Sequence, residues 1–333
     1  MILHLNQEID QATIQALTDK YQAIHFVLEN KHILVTPSKD KAIHAGDEKY
    51  VAQSWAMDSD IQLASSKYIP QKRRIAIAPN LIIGGDSNNT LVITGPCSVE
   101  SEEQINTSAE FVQSLGIKVL RAGCYKPRTS PYTFQGLGLE GLKLLDKMRS
   151  KYDLKIITEV KDSSHVDEVI EYADIVQIGA KAMYDQGILK KCAKTNKPIL
   201  IKRGFGSTLQ EFVQAAEFVL SGGNPNVILC ERGIRTFETK TRFTLDLCGV
   251  AYLKEYTNLP IILDPSHAMG YSYGVADLTR ACIAMGIDGV LIETHPNPAV
   301  AKSDASQQLN HDQFKSLYQS MNAVAGAIGR KIV

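Results

Sequence analysis

The sequence predicts an α/β fold: a (β/α)8 barrel of the TIM type, preceded by a small ferredoxin-like α+β domain. From about residue 80 onward, eight short, β-branched apolar runs alternate with amphipathic stretches of helical periodicity. Continuous apolar strands separated by helices are typical of a parallel sheet that is buried on both faces. Eight such units in about 250 residues match a closed barrel, with a doubly wound open sheet as the alternative.

The first 70 residues contain a different order of elements and predict a separate domain. Strands are expected at residues 1–5, 24–29, 32–37 and 61–66, and helices at 10–22 and 47–57. This βαββαβ order predicts a ferredoxin-like domain over residues 1–70, followed by the barrel over 71–333. Residues 67–74 are expected to link the two, and residues 81–93 to form a hairpin with its turn at Asn88 and Asn89.

The predicted barrel strands are defined by their apolar runs, and each is followed by a helical segment. They cover residues 91–94, 119–123, 155–160, 175–179, 198–204, 227–233, 260–264 and 289–293.

Composition excludes several classes of protein. The 36 basic and 36 acidic side chains cancel, which disfavours nucleic acid or an anionic membrane as a partner. No apolar run has the length of about 18 residues that a membrane span needs. The six cysteines are scattered, and MILHLNQEID lacks the pattern of an export signal. We therefore expect a cytoplasmic protein without disulfides.

Four candidate metal ligands follow neighbouring strands of the predicted barrel. Cys97 follows the first strand, His267 the seventh, and Glu293 and Asp304 the eighth. Strands seven, eight and one are adjacent in a closed barrel, so these side chains are expected to converge on one divalent cation. Asp264 is placed to orient the imidazole of His267.

A second group of strand-end residues is cationic. It comprises Arg121, Lys126, Arg128, Lys181, Lys202, Arg203, Arg232 and Arg235. Such a cluster beside a metal site favours binding of phosphate or carboxylate, whereas a solvated rim paired with acids is the alternative. Glu159, at the end of the third strand, is either a general base or the partner of a lysine. The residues thus indicate metal-assisted carbonyl chemistry on phosphorylated small molecules, and a phosphatase or another lyase would fit the same set.

Six strand-end segments are long enough to be specific. They read GPCSVES (95–101), RAGCYKPRTSPYTFQGLG (121–138), IKRGF (201–205), ILCERGIRTFE (228–238), DPSHA (264–268) and IETHP (292–296). Together they resemble the type I 3-deoxy-D-arabino-heptulosonate 7-phosphate (DAHP) synthases, which join phosphoenolpyruvate to erythrose 4-phosphate in the first step of the shikimate pathway. The N-terminal extension is similar to that of the branch under feedback control by an aromatic amino acid.

The resemblance implies a role for each matching residue. The same four ligands, Cys97, His267, Glu293 and Asp304, would hold the metal, with Mn²⁺ expected first and Fe²⁺, Co²⁺ or Zn²⁺ as alternatives. The residues implied for phosphoenolpyruvate are Arg121, Lys126, Gly179, Ala180, Lys181, Lys202 and Arg232. Erythrose 4-phosphate would be held by Pro127, Arg128 and Thr129. Lys126 and Glu159 would handle protons, which makes them catalytic together with Cys97 and His267. A homotetramer and a tyrosine or phenylalanine effector are also implied.

Several positions depart from the family pattern. Lys181 and Ala182 replace the usual Arg-Asn pair, Phe243 replaces an asparagine, MGYSY (269–273) lacks a basic residue, and SDASQQ (303–308) replaces SDGPQS. Alternatives therefore remain: the related condensation with arabinose 5-phosphate, or a catalytically weakened paralogue that senses an amino acid. The N-terminal domain would otherwise be a passive oligomerisation module.

Overall fold

The N-terminal segment forms a four-stranded antiparallel sheet with one α-helix. The structure, a computed structural model, describes residues 1–126 and 130–333. The elements of this segment are β1 (Ile2–Leu5), α1 (Gln11–Lys20), β2 (Ile24–Leu28), β3 (Lys31–Val35) and β4 (Val51–Trp55). The sheet order β2-β3-β1-β4, antiparallel throughout, agrees with the predicted ferredoxin-like sheet. Asp10 caps α1 by accepting from the Thr13 amide, and Ile14 and Leu17 of α1 are buried against the sheet.

Two predicted elements of this domain are wrong. Instead of a helix at 47–57, the chain makes one 3-10 turn at Glu48–Tyr50 and then forms β4. Strand pairing explains the difference. β4 aligns Trp55 with Ile2, and its backbone supplies hydrogen-bond partners to the open edge of β1. The strand expected at 61–66 is a series of turns, whose amides donate to a side chain of the barrel as described below.

A hairpin closes the bottom of the barrel, but it spans residues 74–84 and not the predicted 81–93. It consists of β5 (Arg74–Ala78) and β6 (Leu81–Gly84), so its turn falls at residues 79–80. Asn88 and Asn89 are not at the turn, and Asn89 begins the first barrel strand. Ile75, Leu81 and Ile83 pack into the apolar interior of the barrel, which they seal from below.

Eight parallel strands form a closed barrel. They are β7 (Asn89–Gly95), β8 (Val119–Arg121), β9 (Lys155–Val160), β10 (Ile175–Ile178), β11 (Ile199–Lys202), β12 (Val227–Glu231), β13 (Ile261–Leu263) and β14 (Gly289–Glu293). Each pairs with the next, and β14 also pairs with β7 from Gly289↔Leu91 to Glu293↔Gly95. This last ladder confirms the barrel and excludes the open sheet. A short β15 (Lys331–Ile332) adds to the start of β7.

Helices follow every barrel strand and cover the sheet. They are α2 (Glu102–Ser114), α3 (Leu139–Tyr152), α4 (Val166–Tyr172), α5 (Gln186–Cys192), α6 (Leu209–Ser221), α7 (Leu247–Tyr256), α8 (Pro265–Met269), α9 (Ser272–Ala284) and α10 (His311–Ala327). Most start at a capping side chain, such as the reciprocal Thr208 and Glu211 pair of α6. Among the helices described, none is long and apolar enough to cross a membrane.

A buried carboxylate on α6 fastens the N-terminal segment to the barrel. Glu217 accepts the backbone amides of Gln62, Leu63 and Ala64 at 2.7, 3.1 and 2.8 Å. Gln62 in turn accepts from the N-terminal ammonium group at 3.0 Å. Burial raises the pKa of Glu217 to about 7, although the three amides oppose the shift.

We expect stability to fall between pH 5 and pH 8 because of Glu217. Its pKa is higher in the folded protein than the ordinary value of 4.5, so the folded state binds this proton more tightly than the unfolded state does. The resulting contribution of about 3 kcal/mol is present at pH 5 and is lost as pH rises through 7. The Glu217→Gln variant should lose this pH dependence of the melting temperature, whereas Glu255→Gln, at an exposed position of α7, should keep it. Parallel pH profiles for Glu217→Gln and the unmodified protein would contradict the expectation.

Candidate active site

The carboxyl ends of the barrel strands bring the predicted metal ligands together. Glu293 is the last residue of β14 and pairs with Gly95, two residues before Cys97. His267 lies in α8, directly after β13, and Asp264 caps that helix by accepting the His267 amide at 2.9 Å. Asp304 lies in the loop after β14. Its φ is +46°, a left-handed conformation that aspartate tolerates. Neighbouring strands thus carry residues far apart in sequence to one place.

Three of the four predicted ligands form one compact group, and the fourth lies at its edge. Ligand atoms of Cys97, Glu293 and Asp304 all lie within 4.8 Å of one another. The imidazole Nε2 of His267 lies 3.6 Å from Glu293 Oε1. Its Nδ1 lies 2.7 Å from Asp264 Oδ2, without the alignment of a hydrogen bond. A thiol, an imidazole and two carboxylates suit a borderline divalent ion such as Mn²⁺, Fe²⁺, Co²⁺ or Zn²⁺.

The electrostatics of this group keep its carboxylates ionised. Burial alone would raise the pKa of Asp304 and Glu293, but the neighbouring cationic groups, His267 first, lower both. Burial and the adjacent Glu293 raise the pKa of the Cys97 thiol to about 12, and the thiol lies 3.1 Å from Asp304 Oδ2. A cation would replace the proton of this thiol.

Two glutamines that the sequence analysis did not assign hold the ligands in place. Gln307 donates to Glu293 Oε2 at 2.6 Å and accepts from Arg242 at 2.7 Å. Gln308 accepts the Cys97 amide at 2.9 Å. Both directly follow the Asp304 loop and are 1% exposed. The only sequence signal for this role was a pair of adjacent glutamines shortly after the predicted ligand Asp304.

Lys126 lies between the ligand group and the cleft. Its ammonium donates to the Cys97 carbonyl at 2.9 Å and to the Cys97 sulfur at 3.0 Å. Burial lowers its pKa, but Cys97 and Glu159 more than offset this effect, so that the pKa is raised and the side chain stays protonated. A protonated ammonium group is therefore held beside the candidate metal ligands.

The predicted cations have different partners. Arg121 donates to Glu293 at 2.8 Å and to the Pro96 carbonyl, and Lys202 donates to Asp264 at 2.6 Å. Arg232 is 5% exposed, and its Nη1 has no hydrogen-bond partner among the described residues. Lys181 is exposed and lines the cleft.

Arg203 and Arg235 play other parts. Arg203 is buried in a structural pairing with Glu231 and Asp246, at 2.9 and 2.8 Å, and is not among the residues that line the cleft. Arg235 is exposed and stacks on Phe205.

Glu159 faces the cleft next to a glycine that leaves room for its carboxylate. Gln177 donates to Glu159 Oε2 at 2.8 Å. A Cβ atom added at Gly179 would lie 2.1 Å from Glu159 Oε1. The glycine is therefore required sterically for this position of the carboxylate.

One cleft at the mouth of the barrel contains most of the predicted site. Its described lining is Lys126, Glu159, Gly179, Ala180, Lys181, Lys202, Phe205, Arg232, Arg242, Phe243, His267 and Asp304. Cys97, Glu293 and Arg121 are buried behind it. Pro127, Arg128 and Thr129 lie outside the described residues. The cleft combines a candidate cation site with ammonium and guanidinium groups suited to phosphate and carboxylate.

Comparison with known proteins agrees with this geometry. A curated relative from Thermotoga maritima, named phospho-2-dehydro-3-deoxyheptonate aldolase, is 48% identical over 241 residues, covering 72% of this chain and 71% of the relative. A crystal structure of the DAHP synthase from the same organism matches 100% of this chain and 99% of its own, with a TM-score of 0.81 and 37% identity.

A more distant relative carries a different name. A 2-dehydro-3-deoxyphosphooctonate aldolase from Methylobacillus flagellatus is 32% identical over 249 residues, covering 68% of this chain and 88% of the relative. The model of the DAHP synthetase I family matches residues 65–328, which include every barrel strand and every predicted ligand. The chain therefore belongs to the DAHP synthetase I family.

Proposed function

We propose that this protein is a metal-dependent DAHP synthase, which condenses phosphoenolpyruvate with erythrose 4-phosphate and releases phosphate. The observation that carries the proposal is the group formed by Cys97, Glu293 and Asp304, in a member of this family. Beside it lie protonated Lys126 and Arg232, whose Nη1 has no hydrogen-bond partner among the described residues. The 48% identical relative bears the name of this activity.

The metal would be held by Cys97, His267, Glu293 and Asp304, with Mn²⁺ as the first candidate. Bound there, a divalent cation supplies Lewis acidity toward the carbonyl oxygen of the aldose. Gln307 and Arg121 keep the Glu293 carboxylate oriented through the hydrogen bonds described above, and Gln308 fixes the backbone of Cys97.

Cationic side chains would bind and orient phosphoenolpyruvate. Arg232 and Lys202 present N–H groups from neighbouring strand ends, while Lys181, Gly179 and Ala180 line the same cleft. Charge-assisted hydrogen bonds to the carboxylate and phosphate hold C3 of the enol close to the aldehyde carbon. The resemblance assigns erythrose 4-phosphate to Pro127, Arg128 and Thr129.

Two groups would move protons. When C3 bonds to the aldehyde carbon, the aldehyde oxygen gains negative charge and takes a proton from the Lys126 ammonium. Glu159 accepts a proton from the water that adds to C2, and the resulting tetrahedral carbon then expels phosphate. Both groups line the cleft.

Arabinose 5-phosphate is the second candidate aldose. The relatives named 2-dehydro-3-deoxyphosphooctonate aldolase favour it, although at 32% identity rather than 48%. The three-residue ligand group, with His267 at its edge, argues against a weakened paralogue despite the departures at Lys181, Ala182 and Phe243. Residues 1–70 would form a regulatory domain, and residues 71–333 would form the catalytic barrel. The expected assembly is a homotetramer.

We expect phosphate release from phosphoenolpyruvate and erythrose 4-phosphate in the presence of Mn²⁺, and loss of this activity with a chelator. Asp304→Asn should lower kcat/KM by at least about 100-fold, because it weakens the cation site. Asp277→Asn, an exposed acid on α9, is the matched control and should leave kcat/KM unchanged. Absence of phosphate release, or full activity with chelator, would refute the proposal, and faster turnover of arabinose 5-phosphate would favour the second candidate.

Gly179→Ala tests the role of Glu159 without altering that residue. The added methyl group forces the Glu159 carboxylate away from its position, so kcat should fall about 10- to 100-fold while the melting temperature changes little. Gly206→Ala serves as control, since a Cβ there meets nothing within 4 Å among the described atoms. Full activity of Gly179→Ala would show that the position of Glu159 is not required.

An aromatic effector is expected to inhibit the enzyme through the N-terminal domain. Trp55, the single tryptophan, packs against His4 and Tyr68 with ring centroids 4.7 and 5.0 Å away, at the junction with the barrel. Saturating tyrosine or phenylalanine should lower the rate and change the Trp55 fluorescence over the same concentration range. Inhibition without any fluorescence change would place the effector elsewhere, and the absence of inhibition would favour a passive domain.

A further inference from the structure

Phe205 and Phe243 lie along one wall of the cleft, and an arginine guanidinium lies over each of their rings. Phe205 and Phe243, here called the aromatic wall, stack with their ring centroids 5.5 Å apart and an interplanar angle of 27°. The Arg232 guanidinium carbon lies 4.3 Å from the centroid of Phe243, and that of Arg235 lies 4.8 Å from the centroid of Phe205. Each arginine therefore presents a guanidinium to an aromatic ring.

Arg232 has hydrogen-bonding capacity that the described residues leave unused. It is 5% exposed and follows β12 directly, yet its Nη1 finds no partner among the described residues. Buried N–H groups are normally paired, so an unpaired one that lines a cleft is suited to receive a ligand. An aromatic ring attracts the face of the guanidinium. The N–H groups, which point outward in the guanidinium plane, therefore stay available for hydrogen bonds.

The backbone holds Phe243 firmly in its place. Its amide donates to the Ala268 carbonyl at 2.9 Å, in the same short helix that carries His267. Gly233 has a φ of +95°, and a Cβ atom there would lie 2.7 Å from the Cβ of Phe243. The backbone of Phe243 thus lies between the segment after β12 and the segment after β13.

We propose that Phe243 is a positioning residue for anion recognition: its ring holds the Arg232 guanidinium so that the N–H edge faces the cleft. The proposal rests on the proposed function, because the anion is taken to be phosphoenolpyruvate. A polar amide at this position would accept one of the guanidinium N–H groups, and an aliphatic side chain would provide no attraction for the charge. Phe243 therefore determines affinity for the anionic substrate and does not take part in bond making.

Three full-length variants test this role in the Mn²⁺-loaded protein. Phe243→Leu keeps an apolar side chain but removes the ring, and Phe243→Tyr keeps the ring. Phe237→Leu makes the same change at a position that is 98% exposed in the same loop. Binding of phosphoenolpyruvate is measured by titration calorimetry, and KM and kcat are measured in the phosphate-release assay.

We expect Phe243→Leu to weaken phosphoenolpyruvate binding and to raise its KM by about tenfold, the usual scale of a partly desolvated cation–π contact. kcat at saturating phosphoenolpyruvate should change less than about threefold, Phe243→Tyr should bind within about threefold of the unmodified protein, and Phe237→Leu should bind equally well.

Unchanged binding by Phe243→Leu would overturn the proposal, as would equal loss in the leucine and tyrosine variants. A fall in kcat with constant KM would also overturn it. The proposed function alone fails if the unmodified protein binds phosphoenolpyruvate but releases no phosphate with either aldose. In that case the affinities of the variants for phosphoenolpyruvate, relative to the unmodified protein, still decide the role of Phe243. Absence of phosphoenolpyruvate binding to the unmodified protein would overturn both.

Discussion

The pairing of β14 with β7 is the constraint on which the candidate site depends. It aligns Gly289 with Leu91 and Glu293 with Gly95, so the last strand of the barrel lies beside the first. Side-chain bonds reinforce the seam, since the Thr94 hydroxyl donates to the Ile292 carbonyl at 3.0 Å. Through this seam Cys97 and Glu293 meet despite their separation in sequence, and Asp304 joins them from the next loop. An open sheet of the same strands would leave the candidate ligands at opposite edges.

The barrel divides along its axis into an apolar lower half and a charged upper half. Below, the β5 and β6 hairpin and inward-facing aliphatic side chains form a continuous core. Above, buried charges are placed in pairs, as in Arg121 with Glu293 and Lys202 with Asp264. Pairing offsets the cost of removing these groups from water. Arg232 differs, because the face of an aromatic ring and not a carboxylate lies against it.

The N-terminal domain is attached at the end of the barrel away from the cleft. Its junction includes Pro225 and Asn226, directly before β12, and Asn258, which accepts from Arg73 at 2.9 Å. Glu217 adds a single carboxylate that receives three consecutive amides of the connecting segment. This attachment combines hydrogen bonds with apolar packing, since Ile2, Ile33 and Met57 lie in the same buried cluster as residues of α6. The ionisation of Glu217 therefore contributes to its strength alongside the burial of these side chains.

The sequence by itself determined eight β/α units of a parallel sheet, because apolar runs with helices between them must be buried on both faces, whereas the β14–β7 ladder decided that this sheet closes into a barrel. The sequence also determined the candidate ligand set, since polar residues at strand ends must meet at one mouth once the sheet closes. It did not determine β4, because Val51–Trp55 takes its conformation from the edge of β1 and not from local preference. The tertiary structure alone decided that Gln307 and Gln308 support the ligands, that Arg203 is structural, that Glu217 joins the two domains and that Phe243 faces Arg232. Each of these depends on a contact between distant segments, and such contacts leave no periodic signal in the chain.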